Sequence, residues 1–380
     1  MKRIYTVLIL IAMVFMFAGC ADDGGSQRNP KQEIVLACGK DATGTLVKVV
    51  QEFNSQSETT QVKLMEFSNE SVELHRVVSS MLSGQEVHFD AMLIEDVWVG
   101  EFCKNDYLMP LDISHEFDKD EYPKGIDSFM GDDENIYWYP VILDAGIMYY
   151  RKDLAQGSQR LDYIANGDKG TYAIQGVDGE EMLSCALEFV NLTDNTAEGL
   201  KLYKKAIDNF VCDDSNYMTE FKNGNATYMR AWSSHSRNIM QGFSAVSGLV
   251  GADVMTSTDG SSYAVTRSYG FSVNHRTPNG ANCMEFLEYL NSDTAQMQIL
   301  KGMGTLPIKR EHYTNPVILD YSEYLEDAAS IFDRHIFRPY RDDYTFVSRE
   351  ARKALKAYIQ GEGSLEAAVE TVENLSCALQ

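Results

Sequence analysis

One aspartate stands within a long apolar stretch near the middle of the chain. Residues 137–153 read YWYPVILDAGIMYYRKD, and Asp144 lies at the centre of this run. A carboxylate inside an apolar strand is costly unless it has a partner. That partner is either a structural hydrogen bond or the hydroxyl of a ligand, and the neighbouring residues leave both open. Pro140 lacks a backbone donor and therefore favours the edge or end of a strand.

Polar residues also follow three apolar strands in the first third of the chain. Apolar runs at 34–38, 62–67 and 89–94 alternate with amphipathic helical patterns. This alternation predicts a mainly parallel sheet with helices on both faces. Ligands bind beyond the carboxyl ends of the strands in such sheets. The polar or aromatic residues expected at that rim are Lys40, Asp41, Glu70, Asp96 and Trp98.

No recognisable pattern for covalent or metal catalysis accompanies these residues. The segment 39–45, GKDATGT, has the outer glycines of a phosphate loop but carries Thr45 where the lysine should stand. The chain contains no HExxH motif, no nucleophile motif and no carboxylate pair at a spacing typical of a glycosidase. Its seven cysteines include no close-spaced pairs of the kind that bind zinc. The sequence therefore predicts no catalytic residue, no metal and no cofactor.

The first residues have the pattern of an export signal. Lys2 and Arg3 precede the uncharged run 4–17, and Ala18-Gly19-Cys20 follow it. The run is shorter than the about 20 residues of a membrane span. The pattern resembles a bacterial lipoprotein signal, in which the cysteine becomes lipidated and forms the new N-terminus. The alternative is an ordinary secretory signal with an incidental Cys20. Residues 20–30 are expected to be a polar tether.

Composition limits the partners of the mature chain. Loss of residues 1–19 would leave 361 of the 380 residues, enough for two domains. The formal net charge of −23 would become −25, because Lys2 and Arg3 leave with the signal. Such a body is repelled by nucleic acid and anionic lipid, so membrane attachment depends on the lipid. The six other cysteines are predicted to be mostly buried free thiols. No coiled-coil heptad is present, and a monomer is expected.

Six separated stretches resemble extracellular solute-binding proteins of family 1, which serve carbohydrate ABC importers. The trehalose/maltose-binding lipoproteins are the most similar subgroup. The stretches occur in the family's order over nearly all of the mature chain: residues 94–112 (IEDVWVGEFCKNDYLMPLD), 137–154, 172–183, 221–232, 304–315 (GTLPIKREHYTN) and 337–363.

The resemblance implies a type II periplasmic-binding-protein fold, an α/β fold whose two lobes are joined by a hinge and separated by a cleft. Lobe one is expected at residues 31–141 plus 266–325, and lobe two at 142–265 plus 326–380. The first crossing between the lobes would be the stretch 137–153, and the second would lie around 268–271. Family segments after Asp153 and after Val190 look trimmed here, so a smaller second lobe is expected.

The resemblance also implies which side chains contact a sugar. Aromatic faces stack on the C–H surfaces of sugars, while carboxylates and guanidinium groups bind the hydroxyls. The residues that match the family's sugar contacts are Asp96, Trp98, Asp144, Trp232, Tyr269 and Arg338. Each also has a structural alternative: a strand-end cap, core packing, a buried hydrogen bond or a salt bridge. Tyr269 follows Arg267 and Ser268 where relatives have paired glycines, which leaves the sugar's size open.

The function implied by the resemblance is capture of a carbohydrate, a disaccharide or oligosaccharide, by hinge closure. The bound sugar would pass to the permease subunits of an ABC importer, and the protein would sit outside the cell membrane on its N-terminal lipid. Three alternatives remain open at this point: a receptor of the same fold for a non-sugar solute, a receptor that presents its ligand to a sensor kinase, and a surface glycoside hydrolase.

Overall fold

A computed structural model describes most of the chain beyond the predicted signal. The described residues are 30–113, 118–129, 135–155, 161–167, 171–174, 177–193, 195–209, 216–240, 244–257, 259–319 and 332–376. The predicted lipidation site Cys20 and nearly all of the tether lie outside these ranges. Cys212 and Cys377 do so as well.

Strands and helices alternate through the described ranges. The strands are β1 (Gln32–Gly39), β2 (Thr60–Phe67), β3 (Ala91–Glu95), β4 (Leu108–Met109), β5 (Tyr139–Arg151), β6 (Tyr172–Ile174), β7 (Tyr228–Trp232), β8 (Val250–Asp253), β9 (Ala264–Asn274) and β10 (His335–Phe337). The helices are α1 (Thr45–Gln56), α2 (Ser71–Ser83), α3 (Val99–Lys104), α4 (Leu161–Asn166), α5 (Gly179–Asn191), α6 (Thr196–Asn209), α7 (Tyr217–Lys222), α8 (Ser236–Met240), α9 (Gly280–Leu290), α10 (Asp293–Met303), α11 (Pro316–Leu319), α12 (Tyr344–Gln360) and α13 (Leu365–Ser376).

The first three strands and the helices between them form a parallel α/β unit. β1 lies between β2 and β3 and pairs with both in parallel. α1 buries Leu46, Val49, Val50 and Phe53, the face that their spacing predicts. The elements predicted for this unit are confirmed to within two residues at the strand ends.

Two long antiparallel strands join this unit to the rest of the sheet. Residues 139–145 of β5 pair with β9, and residues 146–151 pair with β7 and β8. The strand order is β2-β1-β3-β9-β5-β7-β6. β9 is antiparallel to β3, β4 and β5, so the prediction of a mainly parallel sheet is wrong and the sheet is mixed. The alternating sequence pattern indicates which elements follow one another along the chain. It does not show that β9, which comes much later in the sequence, lies between β3 and β5.

β5 is buried from Tyr139 to Tyr149, which explains its continuous apolar sequence. Pro140 lies near its start, where the register with β9 shifts between Pro140 and Ile142. A residue that cannot donate a backbone hydrogen bond is best tolerated at such an irregular end. Asp144 is the one charged side chain within the buried part of the strand.

The first turn of α12 contacts two other helices through consecutive residues. The hydroxyl of Tyr344 donates to Glu180 Oε2 of α5 at 2.9 Å. The hydroxyl of Thr345 donates to Glu101 Oε2 of α3 at 3.0 Å. At its other end α12 stops at Gly361, whose φ of 76° lies in the left-handed region that favours glycine. The last helix, α13, begins four residues after this glycine.

Cys38 and Cys283 are buried free thiols, as predicted for isolated cysteines. Burial raises the pKa of each to about 12, so both remain protonated at neutral pH. Within the described ranges, no helix combines the length and the apolarity that crossing a bilayer requires.

Candidate ligand-binding site

Asp144 is the centre of a buried hydrogen-bond cluster where β5 runs beside β9. Its Oδ1 accepts from Ser233 Oγ at 2.5 Å and from the Ser234 N–H at 3.0 Å. Its Oδ2 accepts from Ser234 Oγ at 2.9 Å and from Arg267 Nη2 at 3.1 Å. Asp144 and Arg267 are direct partners in the β5–β9 register, and the serines follow the end of β7. Three strands therefore position this carboxylate.

The cluster keeps Asp144 ionised although the residue is only 2% exposed. Burial alone would raise the pKa of this carboxyl, but Arg267, the Ser233 hydroxyl and the Ser234 N–H outweigh it. The pKa of Asp144 consequently lies below its ordinary value. Burial also opposes the charge of Arg267, yet Tyr269 and Asp144 hold the pKa of that guanidinium above its usual value. The pair is therefore charged throughout the physiological range.

Guanidinium groups cover the ring of Trp232. The guanidinium carbon of Arg267 lies 4.3 Å from the ring centroid, and that of Arg230 lies 4.4 Å from it. Arg267 is also 5.8 Å from the ring centroid of Tyr269. These distances are typical of cation–π contacts. Among the described residues the buried indole N–H of Trp232 has no hydrogen-bond acceptor.

A second ion pair joins Arg230 of β7, two residues before Trp232, to Glu188 of α5. Arg230 donates from Nη2 to Glu188 Oε1 at 2.8 Å and from Nε to Oε2 at 3.1 Å, a fork that matches the carboxylate. Both side chains are almost fully buried. A Cβ at Gly146 would overlap both groups, so this position in β5 requires glycine.

Arg338 is the centre of another buried cluster. Its Nη2 donates to Glu95 Oε2 at 2.7 Å and to Asp96 Oδ1 at 2.9 Å. Its Nη1 lies 3.9 Å from Glu180 Oε2. All four residues are buried, and one guanidinium therefore serves three carboxylates. Among the described residues its Nε has no hydrogen-bond partner.

The two neighbouring acids of this cluster differ in their affinity for protons. Burial raises the pKa of Asp96 to about 6; Arg338 opposes this rise and Glu95 adds to it. Burial also acts against ionisation of Glu95, but Arg338 and Arg267 keep its pKa below the ordinary value. Glu95 has Arg267 as a second cation, whereas Asp96 has the charge of Glu95 beside it, so the two pKa values shift in opposite directions.

Consecutive residues of β9 connect the two clusters. Arg267 contacts Asp144, and the backbone N–H of Ser268 donates to Asp96 Oδ2 at 2.8 Å. The predicted site residues Asp144, Trp232 and Tyr269 therefore meet around Arg267. Asp96 and Arg338 meet each other in the second cluster.

Three other predicted site residues have structural contacts of their own. Asp41 Oδ2 accepts from the Leu46 N–H at 2.9 Å at the start of α1. Glu70 is the N-cap of α2 and accepts from the N–H groups of Val72 and Glu73. Trp98 is 3% exposed and packs against neighbouring rings in the core. Within the described ranges, none of the three is hydrogen-bonded to Asp144, Trp232 or Arg338.

Sequence reasoning missed several residues of these clusters. Arg230 was readable, because strand alternation places it on the same face of β7 as Trp232. Arg267 was not assigned a role, since its partner Asp144 lies 123 positions away. Glu95 and Glu188 carry no local signal that separates them from the many solvated acids of this chain.

Within the described ranges, one group of side chains has the spacing of metal ligands. Donor atoms of Asp293, Glu311 and His312 lie within 4.8 Å of one another. His312 Nε2 is 3.4 Å from Asp293 Oδ1. The imidazole is buried and both carboxylates are exposed.

Comparison with known proteins identifies both family and fold. A family model described as bacterial extracellular solute-binding protein matches residues 48–325. Maltose-bound MalE3 of T. maritima is 19% identical, with a TM-score of 0.78 over 91% of this chain and 99% of that one. The GacH receptor of Streptomyces glaucescens GLA.O, studied unliganded and with acarbose, is 19% identical, with a TM-score of 0.77 over 92% and 99%.

A third similar structure is an ABC transporter solute-binding protein of Agrobacterium radiobacter K84 in complex with ribitol. It is 17% identical, with a TM-score of 0.75 over 91% of this chain and 98% of that one. At such identities these structures establish the fold alone, and they confirm the predicted α/β periplasmic-binding-protein fold. The family match covers well over half of the sequence. The chain therefore belongs to the bacterial extracellular solute-binding proteins.

Proposed function

We propose that the protein captures a carbohydrate or polyol outside the cell membrane and delivers it to an ABC importer. Its family supports a role as an extracellular receptor. Structures of the same fold contain maltose, ribitol and, in a protein of Thermotoga Lettingae TMO, α-D-tagatose. These ligands support the carbohydrate class.

The assembly around Arg267 is the observation that carries this proposal. Trp232 and Tyr269 supply aromatic rings, and Arg267, which Asp144 holds in place, supplies N–H donors. Buried polar groups nearly always have a hydrogen-bond partner. The Trp232 indole N–H has none among the described residues, and a ligand hydroxyl would satisfy it. The site thus offers the two kinds of contact that a sugar requires, apolar faces and paired polar groups.

The proposed ligand contacts are Tyr269, Arg267 and the indole N–H of Trp232, with Asp144 holding Arg267 and Ser234 in place. Asp96 and Arg338 would support this wall from the neighbouring cluster through β9. The structural contacts of Asp41, Glu70 and Trp98 occupy most of each side chain. Each would contact a ligand only through the atoms that these contacts leave accessible.

Binding would proceed by hinge closure between lobes at 31–141 plus 266–325 and 142–265 plus 326–380. β5 and β9 suit the crossing segments, since each pairs with strands on both sides of the sheet. The closed state would be selected because the ligand contacts both lobes only there.

Lipidation of Cys20 would tether the receptor to the cell membrane. The Cys20→Ala variant should appear in the culture medium or the soluble fraction, whereas the wild type should partition with membranes and carry a lipid detectable by mass spectrometry. An unmodified wild-type N-terminus in the membrane fraction would contradict the anchor.

A thermal-shift screen with mono-, di- and oligosaccharides tests the function, because a ligand that binds only the folded state raises the melting temperature. Calorimetry on the best ligand should give a Kd at least tenfold weaker for Trp232→Ala, about 1.4 kcal/mol. The exposed Phe346→Ala variant is the control and should bind like the wild type. A response to non-sugar solutes alone would contradict the proposed ligand class, and time-dependent release of reducing sugar would indicate a hydrolase.

A further inference from the structure

Arg267 occupies the place against Trp232 where a sugar would stack. Apolar groups in contact lie about 4 Å apart, and the Arg267 guanidinium carbon is 4.3 Å from the Trp232 ring centroid. The same carbon lies 5.8 Å from the centroid of Tyr269. Arg267 and Tyr269 are two positions apart in β9, so strand alternation places them on one face of the sheet. The chain therefore supplies its own planar group against the ring of Trp232, with Tyr269 on the same face of β9.

The guanidinium is held on two edges as well as on its face. Its Nε and Nη2 atoms lie 3.3 and 3.1 Å from Asp144 Oδ2, and its Nη1 lies 3.6 Å from Glu181 Oε1. Moving it away from Trp232 would leave the buried Asp144 without its cation. Breaking a buried ion pair is strongly unfavourable because it leaves an uncompensated charge. A neutral sugar that gains a stacking contact cannot offset this loss, so Arg267 stays in place when ligand binds.

Arg267 also retains the capacity to bind a ligand directly. A guanidinium has five N–H donors. The two on Nη1 make no hydrogen bond to the described residues, since the Glu181 oxygen at 3.6 Å is beyond hydrogen-bond distance. The side chain is 18% exposed and Glu181 is 27% exposed, so this edge can be reached from solvent. Hydroxyls placed there would find a donor on Arg267 and an acceptor on Glu181.

We propose that Arg267 is a specificity-determining residue that fills one stacking position and restricts the site to a compact ligand, a single sugar or a short polyol. The inference rests on the proposed function and narrows its ligand class. It also replaces the expectation of a disaccharide or oligosaccharide. The ligand would be recognised through paired hydrogen bonds to Arg267 and Glu181 and would contact Tyr269, not the covered face of Trp232.

Calorimetric titration of the wild-type protein with ribitol, mannitol, tagatose, maltose and maltotriose tests the proposal. At least one compact ligand should bind at least tenfold tighter than maltose and maltotriose. Equal or tighter binding of maltose or maltotriose would overturn the restriction while leaving the carbohydrate function intact. Absence of binding to any carbohydrate would overturn the proposed function and this inference together.

Two variants of Arg267 separate the effect of the space that its side chain fills from the effect of its charge. The Arg267→Gly/Asp144→Asn double variant opens the stacking position and removes both charges, so no buried carboxylate is left unpaired. Its preference for the compact ligand over maltose should fall at least tenfold. Arg267→Lys keeps the charge but loses the planar fork, and should bind the compact ligand at least tenfold more weakly.

Arg310→Ala is the matched control. Arg310 also stacks at 4.3 Å on a ring, that of Phe332, and pairs with Asp333, but on an exposed part of the surface. It should leave every affinity unchanged. An unaltered ligand preference in both Arg267 variants, with cooperative melting showing that they are folded, would overturn the role of Arg267. If the double variant does not fold, wild-type affinity in Arg267→Lys alone would overturn it.

Discussion

Asp144 and Asp96 are both buried aspartates beside β9, yet their pKa values are shifted in opposite directions from the ordinary value. Asp144 accepts hydrogen bonds from two serines and pairs with Arg267, and its pKa is lowered. Asp96 shares Arg338 with Glu95, and its pKa is raised to about 6. Two carboxylates that are equally buried can therefore differ in charge. The difference depends on the donors around each carboxylate and on whether another acid shares them.

Removing Arg338 should have the largest effect on stability. In Arg338→Ala, Glu95 and Asp96 lose their common cation inside the protein while Glu180 keeps Arg352, and the loss should cost about 3–5 kcal/mol of the free energy of unfolding. Denaturant titration measures this loss. Arg349→Ala, which breaks an exposed pair with Glu350, is the control and should change stability by less than about 1 kcal/mol. A loss as small as the control's would mean that the acids of the cluster are neutral when the protein is folded.

The raised pKa of Asp96 predicts a pH-dependent stability difference. Its pKa is about 6 in the folded protein against 3.8 for an ordinary aspartate side chain, so the folded state binds the proton more tightly. The stability due to this group is fully present below the ordinary pKa and is lost as the pH rises through about 6. Relative to Asp96→Asn, the wild type should lose about 2 kcal/mol between about pH 4 and pH 7.

The Asp144→Asn variant tests the opposite pKa shift in the same comparison of the two aspartates. The pKa of Asp144 is lowered, so its stabilisation is present above the ordinary pKa and is lost only as the pH falls below it. Between about pH 4 and pH 7 its difference from the wild type should stay nearly constant. Chemical denaturation across this range measures both variants, and parallel curves for the two would contradict the distinction.

Full removal of the Asp144 carboxylate should cost less than removal of Arg338. Asp144→Ala leaves Ser233 and Ser234 without their acceptor, but Arg267 is partly exposed and keeps Glu181 nearby. We expect a loss of about 2 kcal/mol in the free energy of unfolding. Asp153→Ala, which breaks an exposed pair with Arg151, should lose no more than about 1 kcal/mol. A loss for Asp144→Ala above that for Arg338→Ala would reverse the order of the two clusters.

The smallest effect is expected at a helix cap outside both clusters. Glu70→Ala removes the carboxylate that accepts from two N–H groups of α2 and should cost about 1 kcal/mol. Thermal denaturation against Glu86→Ala, an exposed acid, measures the difference. Ligand affinity should remain unchanged, and a tenfold loss of affinity would make Glu70 a ligand contact as well as a cap.

How well each region could be predicted from the sequence depends on how far apart along the chain its interacting residues lie. The first α/β unit was predictable, because the apolar faces of α1 and the strands beside it repeat at short spacing. The apolar run with its lone Asp144 indicated a buried strand in need of a partner. That partner, Arg267, could not be identified because the Asp144–Arg267 pairing depends on β9 lying antiparallel to β5. The same long-range pairing makes the sheet mixed and not mainly parallel.

The consecutive contacts of β9 constrain how this protein can diverge. Arg267 serves Asp144 and Ser268 serves Asp96, so the two clusters are set one residue apart along a single strand. A slip of one residue in β9 would take the Arg267 side chain away from Asp144 and the Ser268 N–H away from Asp96. An insertion or deletion inside β9 would therefore disturb both clusters at once.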